Sequence, residues 1–125
     1  MKSRVGKHAG FTLIELIMVI VILGILASVA IPKFFDLQSD AKEAAEKGTV
    51  GGIRSGLQTY YAKHHKFPTT LDSASNGACT STNACFVNIL DQGGVTSDWS
   101  RVSNNVYTGP AGSTYTYTPE TGSFL

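Results

Sequence analysis

The sequence predicts an α+β fold: a long N-terminal α-helix, with a membrane half and an amphipathic half, packed on a small C-terminal antiparallel β-sheet head. Three observations predict it. Of the 53 apolar residues, 17 fall at positions 11–31. Over positions 34–61 apolar residues recur every three or four places, the period of a helix with one buried face. Beyond Pro68 short strand-like runs alternate with Gly-, Pro- and Asn-containing turns. The other 104 positions carry 36 apolar residues, a polar body around one modest core. A chain of 125 residues holds one domain of ordinary size. The net charge of +1 gives no case for nucleic-acid binding, and two cysteines are too few for a disulfide-dense scaffold.

Residues 1–10 contain Lys2, Arg4 and Lys7 and no acid. Basic residues before an apolar run stay on the cytoplasmic side, so the body lies outside. The apolar run at 11–31 is interrupted by one charge, Glu15, and as a helix it reaches roughly 30 Å, the hydrocarbon thickness of a bilayer. The residues admit an ordinary secretory signal cut after Ser28-Val29-Ala30. Glu15 argues against it: a carboxylate costs about 2.5–3.5 kcal/mol at a membrane-helix centre, less near its end, and export has no use for it. The strongest local break also precedes the run, at Gly10-Phe11.

Lys7-His8-Ala9-Gly10, then Phe11-Thr12-Leu13-Ile14-Glu15, then an apolar helix reaching Pro32, resembles the class III signal of type IV pilins and type II secretion pseudopilins. The resemblance is close over about the first 35 residues and loose over the next 30 or so. It implies three parts: a cleaved leader at 1–10, a long helix at 11–66 whose 11–31 segment spans the membrane and drives assembly, and a head at 67–125. It implies cleavage by prepilin peptidase between Gly10 and Phe11 and N-methylation of Phe11. It also implies that Glu15 pairs with the Phe11 amine of a neighbouring subunit, since two charges costly in lipid are tolerable together. The implied partners are further copies in a helical filament, the peptidase, the inner-membrane assembly machinery and the bilayer before assembly. The implied place is the bacterial inner membrane, N-terminus inside, then an extracellular pilus or a periplasmic pseudopilus. Loss of the leader removes three of ten basic residues and no acid, which leaves the mature chain at −2 before its termini are counted.

Pro32 lacks a backbone N–H and Gly24 is a second weak point, so a hinge is expected near the membrane surface. Beyond it Phe34, Leu37, Ala41, Ala44 and Ala45, then Val50, Ile53, Leu57, Tyr60 and Tyr61, form the apolar stripe. Asp36, Asp40, Lys42, Glu43, Glu46 and Lys47 fill the gaps as a water-facing surface would. Gly48, Gly52 and Gly56 stand four apart, with Gly51 added, and each costs about 0.8–1 kcal/mol in a helix interior. Something must offset that cost: close approach of a neighbouring helix or of the chain's own sheet, or else a break in the helix.

Pro68 ends the helical pattern, and residues 69–84 read as an exposed connection. Cys79 and Cys85, spaced C-x5-C, form a disulfide by default outside the cytoplasm, with no histidine or second cysteine pair nearby for a metal. Strands are expected at 85–90, 98–102, 105–108 and 113–118, with a short one at 123–125. Strict alternation in Thr114-Tyr115-Thr116-Tyr117-Thr118 puts both tyrosines on one face. The sheet is expected to meet Val50, Ile53, Leu57 and Tyr61 through Phe86, Ile89, Trp99, Val106 and the tyrosines.

No nucleophile elbow, phosphate loop, HExxH or carboxylate pair is present, so no enzyme activity, cofactor or metal is expected. His64 and His65 diverge by about 100° on a helix and cannot share a ligand. Asp91-Gln92-Gly93-Gly94 with Asp98 is a weak match to a calcium loop, and turn chemistry alone explains its glycines. Major pseudopilins carry an acidic C-terminal calcium loop, whereas this C-terminus holds only Glu120, which favours the pilin reading. Electron transfer through Phe34, Phe35, Tyr60 and Tyr61 is the lesser reading, since aromatics at helical spacing more often pack.

Overall fold

A computed structural model describes residues 9–125, so the basic leader residues Lys2, Arg4 and Lys7 lie outside the described residues. The described architecture is α+β. One helix, α1 (Leu13–His64), precedes five strands: β1 (Gly77–Ala78), β2 (Ser100–Ser103), β3 (Val106–Thr108), β4 (Thr114–Thr118) and β5 (Ser123–Phe124). By backbone contacts the chain divides into two units, one ending at Gln38 and the other Ser39–Leu125.

In the first unit α1 is long and apolar enough to cross a membrane. Its Ile and Val residues are mediocre helix formers in water, but in lipid only a helix satisfies every backbone group within the segment. Pro32 lies inside α1. Its ring nitrogen has no proton for the carbonyl of Ser28, whose own hydroxyl donates to the Ile25 carbonyl at 2.7 Å. Phe34, Phe35 and Leu37 are exposed, like the apolar residues before them.

In the second unit α1 buries Val50, Ile53 and Leu57 in one core with Leu71, Phe86, Trp99, Tyr107, Tyr117 and Phe124. The helix stops at His64 because His65 turns into the left-handed region, φ 55°, with its amide bonded to the Tyr61 carbonyl at 2.7 Å. The sheet is an antiparallel meander in the order β1-β2-β3-β4-β5. Its register sets Arg101 opposite Tyr107, Tyr107 opposite Tyr115, and Tyr117 opposite Phe124, so one face carries these large side chains. Tyr115 stacks on Phe124 at 5.3 Å, and Phe86 lies 4.4 Å from Tyr107.

Three expectations are corrected. Residues 85–90 are not a strand: Cys85 makes one isolated bridge to Val95, and Phe86 sits at φ 62°. The Phe86 carbonyl accepts the amides of Ile89 and Leu90, which curls the run into a turn whose apolar members serve as anchors. Tyr61 lies outside the core, 44% exposed, with its ring against Phe67. Glu46 does not face water; it is 2% exposed.

Candidate functional site

Ala9, Gly10 and Phe11 are exposed and precede the helix, and the Phe11 side chain is 94% exposed. Gly10-Phe11 is therefore an exposed peptide bond outside regular secondary structure, just ahead of the helix. Thr12 caps that helix. Its hydroxyl accepts the Glu15 amide at 3.3 Å, and Glu15 Oε2 accepts the Thr12 amide at 2.9 Å and the Thr12 hydroxyl at 3.0 Å. This reciprocal capping box satisfies N–H groups that the first turn leaves unpaired, and it places a negative charge where the helix dipole favours one. The sequence signal for Thr12 is its T-x-x-E spacing, and a reading of Glu15 as an intramembrane acid alone does not reach it.

Gly24 and Pro32 are exposed, and nothing lies within reach of a Cβ on Gly24. Gly48, Gly51 and Gly52 are likewise open. Gly56 differs: a Cβ there would lie 2.6 Å from the Ile89 carbonyl oxygen, so the loop after Phe86 packs against bare helix backbone. The structure thus separates one internal close approach from an open glycine face one turn earlier, within an unbroken helix.

Glu46 binds the β3–β4 hairpin to α1. One carboxylate oxygen accepts the Tyr115 hydroxyl at 2.7 Å and the other accepts the Ala111 amide at 2.7 Å. Burial pushes the carboxyl up, but hydrogen bonds from Ser113, Tyr115 and the Ala111 amide outweigh it and hold Glu46 below the ordinary carboxylate value. The same hydrogen bond, with burial, raises the Tyr115 phenol. Tyr117 is pushed up to about 12, chiefly by burial, and its hydroxyl donates to the Pro68 carbonyl at 2.6 Å.

A second buried carboxylate organises the connection. Asp72 Oδ1 accepts the Ala74 amide at 3.1 Å and Oδ2 accepts the Phe86 amide at 3.0 Å, which holds Phe86 in its left-handed conformation. Arg101 Nε stands 3.6 Å from Asp72, and its Nη2 donates to Asn104 at 3.0 Å. Cys79 and Cys85 form a disulfide across this connection. Among the described residues no group of three or more His, Cys, Asp or Glu could hold a metal ion.

The family described as the prokaryotic N-terminal methylation motif matches residues 6–31. The chain is 38% identical over 64 residues to type II secretion system core protein G of Pseudomonas aeruginosa, covering 51% of this chain and 45% of that protein. It is 36% identical to type IV major pilin protein PilE1 of Neisseria gonorrhoeae, covering 76% of this chain and 64% of that one. With the type IV narrow pilus major component PilA5 of Thermus thermophilus it shares 46% identity over 59 residues, 46% of this chain and 51% of that one. The chain spans about half the length of the curated relatives it matches. No solved structure matches. Residues 6–31 thus carry the N-terminal methylation motif, and the proteins this chain is similar to are type IV pilins and core protein G of type II secretion.

Proposed function

We propose that this chain is a non-enzymatic structural subunit of a type IV pilus or pilus-like filament. Prepilin peptidase cuts it between Gly10 and Phe11 and methylates the new Phe11 amine. Before assembly the chain waits in the inner membrane, N-terminus inside, with 11–31 across the bilayer and Glu15 near the inner end of the span. It then polymerises through the N-terminal helix, Glu15 meeting the Phe11 amine of a neighbouring copy. The observation that carries the reading is the methylation motif over residues 6–31 running directly into an exposed apolar helix. An exposed Gly10-Phe11 bond ahead of a capped helix fits a cleavage site, because a protease needs backbone that is free of helical hydrogen bonds.

The second reading, a periplasmic pseudopilus subunit, draws on the match to core protein G. The last ten residues hold a single acid, Glu120, which favours the extracellular filament over a pseudopilin with an acidic calcium loop. N-terminal sequencing of the membrane and filament forms, with electron microscopy of the cell surface, tests both. Methylated Phe11 at the start of surface fibres supports the pilus. Methylated Phe11 without surface fibres supports the pseudopilus, and a chain starting at Ile31 overturns both.

A further inference from the structure

The connection between α1 and β2 holds an Asn-Gly dipeptide, Asn76-Gly77, where β1 begins. Both residues are exposed, and β1 is a two-residue strand at the edge of the sheet. Gly77 has φ 125°, a conformation open to glycine, so no side chain shields its amide nitrogen. Asn83 grips the chain on either side of this pair. Its Oδ1 accepts the Ser75 amide at 2.7 Å, and its Nδ2 donates to the carbonyls of Ser75 and Ala78, each at 3.1 Å. Those three bonds fix the flanks of the dipeptide, none of them reaches the Asn76 side chain, and Gly77 is held by its pairing with Arg101 across the sheet edge. The Cys79–Cys85 bridge closes a short loop that contains Asn83 and follows directly on the dipeptide's strand.

We propose that Asn76 is a site of spontaneous backbone modification, deamidation through a succinimide formed with Gly77. Solvent base takes the Gly77 amide proton, and the nitrogen attacks Asn76 Cγ. The N–Cγ bond forms, the Cγ–Nδ2 bond breaks, and ammonia leaves with a proton returned from solvent. One water then adds at either ring carbonyl and opens the ring, giving aspartate or isoaspartate at position 76. Water is the sole co-reactant.

Gly77 pairs with Arg101 across β1 and β2, so attack requires that edge pair to open. A two-residue edge strand opens by local fraying at little cost. The pairing and the Asn83 clasp therefore slow the reaction in the folded head without abolishing it. Asn83, Asn88, Asn104 and Asn105 are followed by Ala84, Ile89, Asn105 and Val106, whose side chains crowd the same attack. Isoaspartate inserts an extra backbone carbon, which takes β1 out of register with Arg101 and shifts Ser75 against Ala78, the two residues that Asn83 clasps.

The full chain in detergent, incubated in mildly alkaline buffer and digested with its disulfide intact, gives the test by peptide mass and isoaspartyl-methyltransferase labelling. The Asn76 peptide is expected to gain about one dalton and split into two chromatographic forms, several-fold faster than the Asn88 or Asn104 peptides. Asn83→Ala should speed that conversion several-fold, and Asn76→Gln, which leaves the glycine and the clasp intact, should abolish it. Asn76 remaining intact in the folded chain while the reduced, unfolded chain converts overturns the proposal, as do equal rates at Asn76 and Asn88.

Discussion

Thr12 and Glu15 hold each other: the threonine hydroxyl and amide both donate to one Glu15 carboxylate oxygen, at 3.0 and 2.9 Å. The carboxylate is thus stabilised by its own helix terminus before any neighbouring chain arrives. Two roles follow for one residue, a cap and a charge partner, and they can be separated. Gln preserves a capping box and removes the charge, whereas Ala removes both. Membrane insertion should survive Glu15→Gln and Glu15→Ala, since either change lowers the cost of the span. Filament yield should fall strongly and equally in both. Wild-type yield from Glu15→Gln would show that the cap suffices and that no intersubunit charge pair is needed.

Cleavage at Gly10-Phe11 requires a peptidase to approach the backbone closely, and glycine offers no side chain in its way. Gly10→Ser should therefore accumulate in the membrane as a band about ten residues heavier on a gel. Fully processed Gly10→Ser protein, read by N-terminal sequencing, would remove Gly10 from the site.

Glu46 fastens the β3–β4 hairpin to α1 through Tyr115 and the Ala111 amide. Glu46→Gln leaves the volume nearly unchanged but faces the donors with an amide, and should cost the head about 2 kcal/mol, in the range for hydrogen bonds to charged groups. Because the folded carboxyl lies below its free value of 4.5, its contribution is complete above that pH. The contribution is lost as pH falls through the lower folded value. Denaturation midpoints of the two proteins should accordingly differ at neutral pH and converge in acid. A constant gap across the acid range would mean that packing, not charge, holds the hairpin.

The apolar half of α1 and the Thr-Tyr strand are legible because their patterns are local: an apolar run broken by one charge, and a strict two-residue alternation. Glu46 carries no such local signal of burial, because a charge among charges has the pattern of a solvated face. Its position nevertheless continues the buried stripe, standing four residues before Val50, which precedes Ile53 by three and Leu57 by seven. Phe86 departs from its local pattern in the opposite way. An apolar run suggested a strand, and the Asp72 carboxylate that takes its amide lies 14 residues upstream, beyond any local pattern. Where a tertiary hydrogen bond decides the backbone, periodicity carries no signal of it.

The glycines of α1 provide the last prediction, since they divide by what lies above them. A Cβ at Gly56 would sit 2.6 Å from the Ile89 carbonyl oxygen, and backbone yields poorly. Gly56→Ala should therefore destabilise the head by about 1–3 kcal/mol, the usual cost of overpacking. Gly48 and Gly52 are open, so alanine there should gain about 0.8–1 kcal/mol each in helix propensity. Filament yield then reports on assembly independently of folding. If a second copy packs its helix on this face, Gly48→Ala/Gly52→Ala should give a more stable head and fewer filaments. A more stable head with undiminished filaments would leave the open glycines with no packing role, because a second helix seated on bare backbone there would have met the added methyl groups.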